Sequence, residues 1–342
     1  MGAGIYSAAT YQAKTASKIA SGQNFAYSQQ AKQTGVYKAH ESMDPKKVAG
    51  ATSPFAGQVM RESRDNVDHP NATPITIAFD VTGSMADNPE IIQAKLKDLF
   101  GLLLRKGYVE DPQIMTLAYG DARTDDVPLQ VSEFESDNRI DDCLDNVFLE
   151  GHGGGNGGES SMLAAYFLAN HTATDAWDKR NQKGFVFFIG DEISHEITAD
   201  QVKRYIGDGE PLGKSLHSTD IVAQLKERYH VFFLLIDNSS AAYQGSEAYY
   251  KKLLGNKSVL VVEDTKGIAE TIALAIGVTE GTIDSIDDGE DDLLESGSDA
   301  LAIRTATNAI KKAGLGNLAN GGVVAKGDAG IDFGTGRGSS RI

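Results

Sequence analysis

Three apolar runs constrain this chain more than any other feature: Pro74–Val81 (PITIAFDV), Gly184–Gly190 (GFVFFIG) and His230–Ile236 (HVFFLLI). Their β-branched and aromatic content reads as strand, and their unbroken apolar character reads as strand buried on both faces. Shorter strands are expected at Gln113–Tyr119 and Ser258–Val262, and a half-buried or edge strand at Val127–Phe134. Helical stretches fall between them, at Asn88–Lys106, Asn138–Phe148, Glu159–Asn170, within Ala199–Ile206 and Asp220–Tyr229, near Ser246–Leu254, and at Lys266–Ile276. Pro89 suits a first helical turn and Gly107 a helix stop. Strands alternating with helices predict an α/β fold: a doubly wound, mostly parallel central sheet flanked by helices. Ligands in such folds bind at the carboxyl ends of the strands.

The flanks differ in composition from this middle region. Residues 1–73 form an N-terminal arm rich in Ala, Gln, Ser, Gly and Tyr, with short helical stretches expected around Ala8–Ile19. Eight Lys and Arg face five Asp and Glu there. Little apolar surface is available, so docking onto the core or a partner is expected rather than independent folding. Residues 74–278 make the main domain. Residues 279–342 begin with the acidic run Glu280–Glu295, expected to be a solvated linker; its spacing lacks the alternating oxygen ligands of an EF-hand loop. Ser298–Ala313 is expected as one amphipathic helix, capped by Ser298 or Asp299 and stopped by Gly314, before a flexible glycine-rich tail.

The chain of 342 residues carries a formal charge of −16, which argues against a nucleic-acid footprint. No apolar stretch approaches the ~20 residues needed to span a bilayer, and no signal-peptide pattern opens the sequence, so no membrane is expected and the protein is predicted to be cytoplasmic. The one cysteine, Cys143, reads as helix filler in a reducing compartment.

Chemistry concentrates at Asp80-Val81-Thr82-Gly83-Ser84, directly after the first buried strand. Asp80, Thr82 and Ser84 alternate, so an extended turn can bring them to one point, and Gly83 permits a tight path. Carboxylate and hydroxyl oxygens are hard donors of the kind Mg²⁺ takes. Two more oxygen-bearing loops follow later strands: the glycine-dense GHGGGNGGES, with Asn156 and Glu159, and FIGDE, with Asp191. Asp121, Asp125 and Asp126 follow another strand end and are expected in a solvated loop. Glu192 and His195 lack a zincin motif and read as loop or helix-start residues. Tyr243, Tyr249 and Tyr250 read as a helix face in core or rim contact, and Trp177 as packing.

At these residues the chain resembles the von Willebrand factor type A (vWA) domain, whose metal-ion-dependent adhesion site is written D-x-S/T-x-S, with a Thr in a second loop and an Asp in a third. Asp80, Thr82 and Ser84 match the first loop and Asp191 the third, over about residues 74 to 278. The resemblance implies a Rossmann-like fold and a metal held directly by the two hydroxyls, with Asp80 and Asp191 acting through water. The second-loop Thr is missing; Asn156 stands roughly in its place, and Glu159 acts through water or caps the following helix. Mg²⁺ is the expected ion, with Mn²⁺ and Ca²⁺ as alternatives. The implied function is non-enzymatic: an adaptor or assembly factor gripping an Asp or Glu of a protein partner. Two rivals stand beside it. One is a structural component of a larger particle, using arm and tail contacts; the other is a Mg²⁺-dependent phosphohydrolase, although the dehalogenase-type motif requires an Asp where Thr82 stands.

Overall fold

A computed structural model describes residues 4–7, 9–10, 13–14, 25–85, 88–149, 157–207, 216–236 and 243–316, without the side chains of residues 90, 93, 97, 243 and 244. Most of the expected Ala8–Ile19 helix, the candidate ligand Asn156 with most of its glycine run, and the glycine-rich tail beyond 316 lie outside the described residues.

The main sheet has six strands in the order β4-β3-β2-β6-β7-β8. These are β2 (Thr73–Asp80), β3 (Pro112–Tyr119), β4 (Leu129–Glu135), β6 (Gly184–Gly190), β7 (Tyr229–Ile236) and β8 (Val259–Val262). Every pairing is parallel except β3 with β4. The three apolar runs named above are therefore the three adjacent central strands. Side-chain alternation sorts each of them between two cores. Ile75, Ile77 and Phe79 of β2, with Phe185, Phe187 and Ile189 of β6, pack against the helices Asn88–Lys106, Ile268–Glu280 and Ala300–Ala313. Ala78, Val186, Phe188, Phe233 and Leu235 face the other way, onto Ser161–Asn170, Ser218–Arg228 and Tyr243–Leu254. Mixed α/β architecture with a mostly parallel sheet flanked by helices is thus what the strand patterning predicts.

The arm is part of this body. A small parallel sheet pairs β1 (Arg61–Ser63) with β5 (Thr172–Thr174). Arg61 is fully buried. Its guanidinium donates to the carbonyls of Asp44 (2.7 Å), Lys47 (2.8 Å) and Ser132 (3.2 Å) and lies 5.6 Å from the Phe167 ring centroid. Ser132 belongs to β4, the outer antiparallel strand, so the arm covers a sheet edge that would otherwise offer open carbonyls.

The acidic run is a helix, not a solvated linker: Ile286–Glu295, capped by the Ser285 side chain, which accepts from the Asp288 amide. Charge composition concealed the seam Ile286, Gly289, Leu293, spaced i, i+3, i+7. Leu293 is buried, and a Cβ on Gly289 would come within 2.8 Å of Leu274, so the two helices approach closely there. The acidic face has partners: Lys106 Nζ reaches Asp292 (3.1 Å) and Glu295 (2.9 Å), and the Tyr108 hydroxyl donates to Asp292 (2.9 Å). The next helix, Ala300–Ala313, begins at Asp299, whose side chain accepts from the Ala302 amide, and stops at Gly314 with φ 68°. Its Ala306, Ala309 and Ile310 join the same core as β2 and β6. Among the described residues no helix is long and apolar enough to cross a membrane.

Because Ile310 is buried in the core, Ile310→Ala is expected to lower the unfolding free energy by about 2–5 kcal/mol. The exposed neighbour substitution Lys311→Ala changes it by about 0.5 kcal/mol or less. Urea denaturation followed by circular dichroism distinguishes the two, and equal small losses would contradict the packing.

Candidate metal centre

β2 lies at the centre of the sheet. From it the chain builds β3 and β4 on one side, then returns to lay β6, β7 and β8 on the other. The reversal falls between β2 and β6, the position where open α/β sheets leave a crevice at the carboxyl ends. Asp80 is the last residue of β2, and Asp191 is the first after β6. The topology therefore sets these two carboxylates side by side from 111 residues apart in sequence.

The Asp80 loop folds as its residue types require. Asp80 Oδ1 accepts from the Thr82 amide (2.8 Å) and from Thr82 Oγ1 (2.7 Å), which turns the chain immediately after the strand. Gly83–Met85 forms one short 3-10 turn. Ser84 Oγ then sits 3.1 Å from Thr82 Oγ1 and donates to Asp191 Oδ1 at 3.2 Å. A hydroxyl has one proton. With Thr82 donating to Asp80 and Ser84 donating to Asp191, both protons are used. Two oxygen lone-pair sites are then left 3.1 Å apart with no hydrogen between them. Neighbouring vertices of an octahedral Mg²⁺ shell, at metal–oxygen distances of about 2.1 Å, are about 3 Å apart. The hydroxyl spacing and the hard-oxygen donor set both fit a small divalent cation.

The described end of the second loop is held by its backbone. The Glu159 amide donates to the Ile193 carbonyl (2.9 Å) and the Glu159 carbonyl accepts from His195 (2.7 Å), tying this loop to the one after β6. Ser160 donates its amide to the Gly120 carbonyl (3.0 Å) and accepts the Ala122 amide at its hydroxyl (2.9 Å), tying it to the loop after β3. Glu159 does not cap the following helix; Ser160 is the N-cap residue, and no side chain caps it. Instead the Glu159 carboxyl is buried, and neither oxygen has a hydrogen-bond partner among the described residues. Asp80 Oδ2 and Glu192 Oε2 are buried and unpartnered in the same way.

Asp121 and Asp125 are buried, which corrects the expectation of a solvated loop; only Asp126 of that trio is exposed. Asp125 Oδ2 accepts the Asp121 amide (2.7 Å) and Thr124 Oγ1 bonds both carboxylates, so the two acids build a self-bonded turn. The outcome is a concentration of buried acid. Burial raises the Asp80 pKa well above the carboxylate range, with Asp191 and Glu192 adding to it against the lowering by the Thr82 bonds. Burial raises Glu159 as well, and Asp80, Glu192, Asp125 and Asp121 push in the same direction. Glu192 is raised by burial, then by Asp191 and Asp121. These acids burden one another, and a divalent cation is a counter-charge that fits such a cluster.

Residue types alone did not reveal the supports of the site. The Tyr119 hydroxyl donates to the Ile189 carbonyl (2.9 Å), and a Cβ on Gly190 would lie 2.6 Å from that hydroxyl. Only glycine lets Tyr119 cross between Asp80 and the end of β6. Tyr250, buried and stacked on Phe233, donates to the Glu192 carbonyl at 3.0 Å and fixes the third loop. His195 is half-buried, and its main chain serves the tie to Glu159. Among the described residues no three His, Cys, Asp or Glu side chains are grouped as a metal cage. The candidate centre is of another make, two hydroxyls flanked by two carboxylates.

No protein-family model matches the chain, and no curated protein matches it. Among solved structures, the open conformation of the pilus adhesin SpaC from Lactobacillus rhamnosus GG is similar at 11% identity and a TM-score of 0.42, over 64% of this chain and 31% of that one. Proximal thread matrix protein 1 from the mussel byssus is similar at 11% identity and a TM-score of 0.41, over 60% of this chain and 47% of that one. The chain spans less than half the length of either, and likeness at this level carries no argument about function.

Proposed function

We propose that the chain is a metal-dependent protein-interaction module of the vWA type, gripping a partner carboxylate at the Asp80 edge of its sheet. The observation that carries this reading is the pair of Thr82 and Ser84 hydroxyl oxygens, 3.1 Å apart, with their protons committed to Asp80 and Asp191. In this reading Thr82 and Ser84 are the direct ligands. Asp80 and Asp191 orient those hydroxyls and hold water. Glu159 stands within electrostatic range of Asp80 and lends a further negative charge. A bound Mg²⁺, with Mn²⁺ or Ca²⁺ as substitutes, would supply positive charge and a coordination position open to an outside Asp or Glu.

The residues favour binding over turnover. Ser84 commits its proton to Asp191 and lies beside Thr82, with no histidine base among its described hydrogen-bond partners. Thr82 stands where a dehalogenase-type phosphatase needs its second Asp. The rival structural-component reading asks the arm to make assembly contacts; its residue Arg61 is instead committed to carbonyls of this same chain.

Two measurements test the reading. The first concerns pH. The ion-free carboxyls of Asp80, Glu159 and Glu192 have folded pKa values raised above their unfolded ones. Their contribution to stability is therefore present below the unfolded value near pH 4 and is lost as pH rises through the folded values. Glu159→Gln removes one such burden, so without metal it is more stable than wild type at pH 8 by on the order of 1–3 kcal/mol, and the gain disappears toward pH 5. Mg²⁺ at about a hundred times its Kd stabilises wild type by about 2–3 kcal/mol at pH 8 and by less at pH 5. Thermal unfolding with and without EDTA reads both effects, and a Mg²⁺ response that is absent, or unchanged in Thr82→Ala, counts against the centre.

The second concerns the partner. Affinity capture from native lysate is expected to retain proteins in Mg²⁺ that are lost with EDTA and lost with Asp80→Ala. Identical captured sets in all three samples would sink the metal-bridge idea.

A further inference from the structure

The two helices that follow the main domain, Ile286–Glu295 and Ala300–Ala313, enclose a surface groove of about 400 Å³. One wall is acidic, from Glu290 and Asp291; the other is basic, from Arg304 and Lys311. Leu294 and Ile303 contribute the apolar part. Leu294 is 66% exposed, one of a few exposed large apolar side chains among the described residues. Two other acids of the pair have partners elsewhere: Asp292 on Lys106 and Tyr108, and Glu295 on Lys106. Between the walls there is only the long Lys311–Glu290 contact at 3.8 Å, with both side chains about half exposed at 52% and 40%.

Such a groove holds its own complement. Under a two-fold rotation the acidic wall of one copy faces the basic wall of the other, twice over, and both Leu294 side chains leave water together. The chain as a whole carries −16, so two copies repel over most of their surfaces. Here two acids and two bases cancel, so the groove itself adds no net charge to that repulsion. A different protein would need to supply this same alternation by itself.

We propose that this groove is a self-association surface, and that two copies of the chain pair through it in an antiparallel, two-fold arrangement. The contact is independent of the Asp80 edge, so the dimer forms equally with Mg²⁺ and with EDTA.

Sedimentation velocity on the full chain over a concentration series at low salt tests this. Wild type is expected to be a reversible dimer that weakens as salt screens the wall charges. Glu290→Lys with Asp291→Lys, and separately Arg304→Glu with Lys311→Glu, each raise the dissociation constant at least about tenfold, because like charges then face each other. Mixing the two charge-reversed proteins restores a dimer, now of unlike copies. Circular dichroism verifies that each variant remains folded, and Leu294→Ala provides an uncharged variant with the same expected weakening. A wild type that stays monomeric overturns the proposal and leaves the groove to a different protein. So does a dimer that ignores both reversals, or a mixture that fails to pair.

Discussion

Burying several carboxylates together at one edge of a sheet is the constraint around which the rest of this molecule is arranged. Asp80, Asp121, Asp125, Glu159, Asp191 and Glu192 are all less than a tenth exposed, and they come from the ends of three neighbouring strands and the loop between. Isolated buried anions are strongly unfavourable. They stay ionised only if a counter-charge offsets them; otherwise burial raises their pKa and they hold a proton. The scaffold's part is visible: Tyr119 crosses at Gly190, Tyr250 grips the Glu192 carbonyl, and Glu159 and Ser160 tie the second loop to both neighbours. The counter-charge is the role proposed for the metal.

The hydroxyls explain why such a site suits recognition. Thr82 and Ser84 are neutral and sit nearest the proposed ion, while Asp80 and Asp191 spend their charge holding the hydroxyl protons. An ion so placed keeps most of its charge for whatever carboxylate arrives from outside. Replacing either hydroxyl by a carboxylate would compensate the ion within the chain and remove that appetite.

The framework was legible because short apolar runs and helical stretches alternate with little ambiguity. Gly184–Gly190 and Asn88–Lys106 have the expected bounds, and the other main-sheet strands differ by a residue or two at their ends. The first and third loops were legible too, since Asp80 and Asp191 stand where apolar runs end. What escaped depends on contacts between distant residues. Arg61 has no local mark of burial; it is buried because carbonyls from Asp44 to Ser132 are assembled around it. Asp121 and Asp125 read as solvated because acids in a loop usually are; in the fold they are buried, with Thr124 bonded to both and Ser160 to Asp121. The Ile286–Glu295 helix was obscured by charge, its seam consisting of three apolar or small positions among acids. Tyr119 had no local signal, whereas Tyr250, expected in core or rim contact, is buried and bonded to the Glu192 carbonyl.

The most direct test of the central claim is crystallographic: crystals grown with Mn²⁺, measured for anomalous scattering at pH 8. The account predicts one strong anomalous peak within about 2.0–2.4 Å of both Thr82 Oγ1 and Ser84 Oγ, with Asp80 and Asp191 one water further out. Well-ordered density for the loop with the two hydroxyls bonded to one another, and no anomalous peak between them, would contradict it.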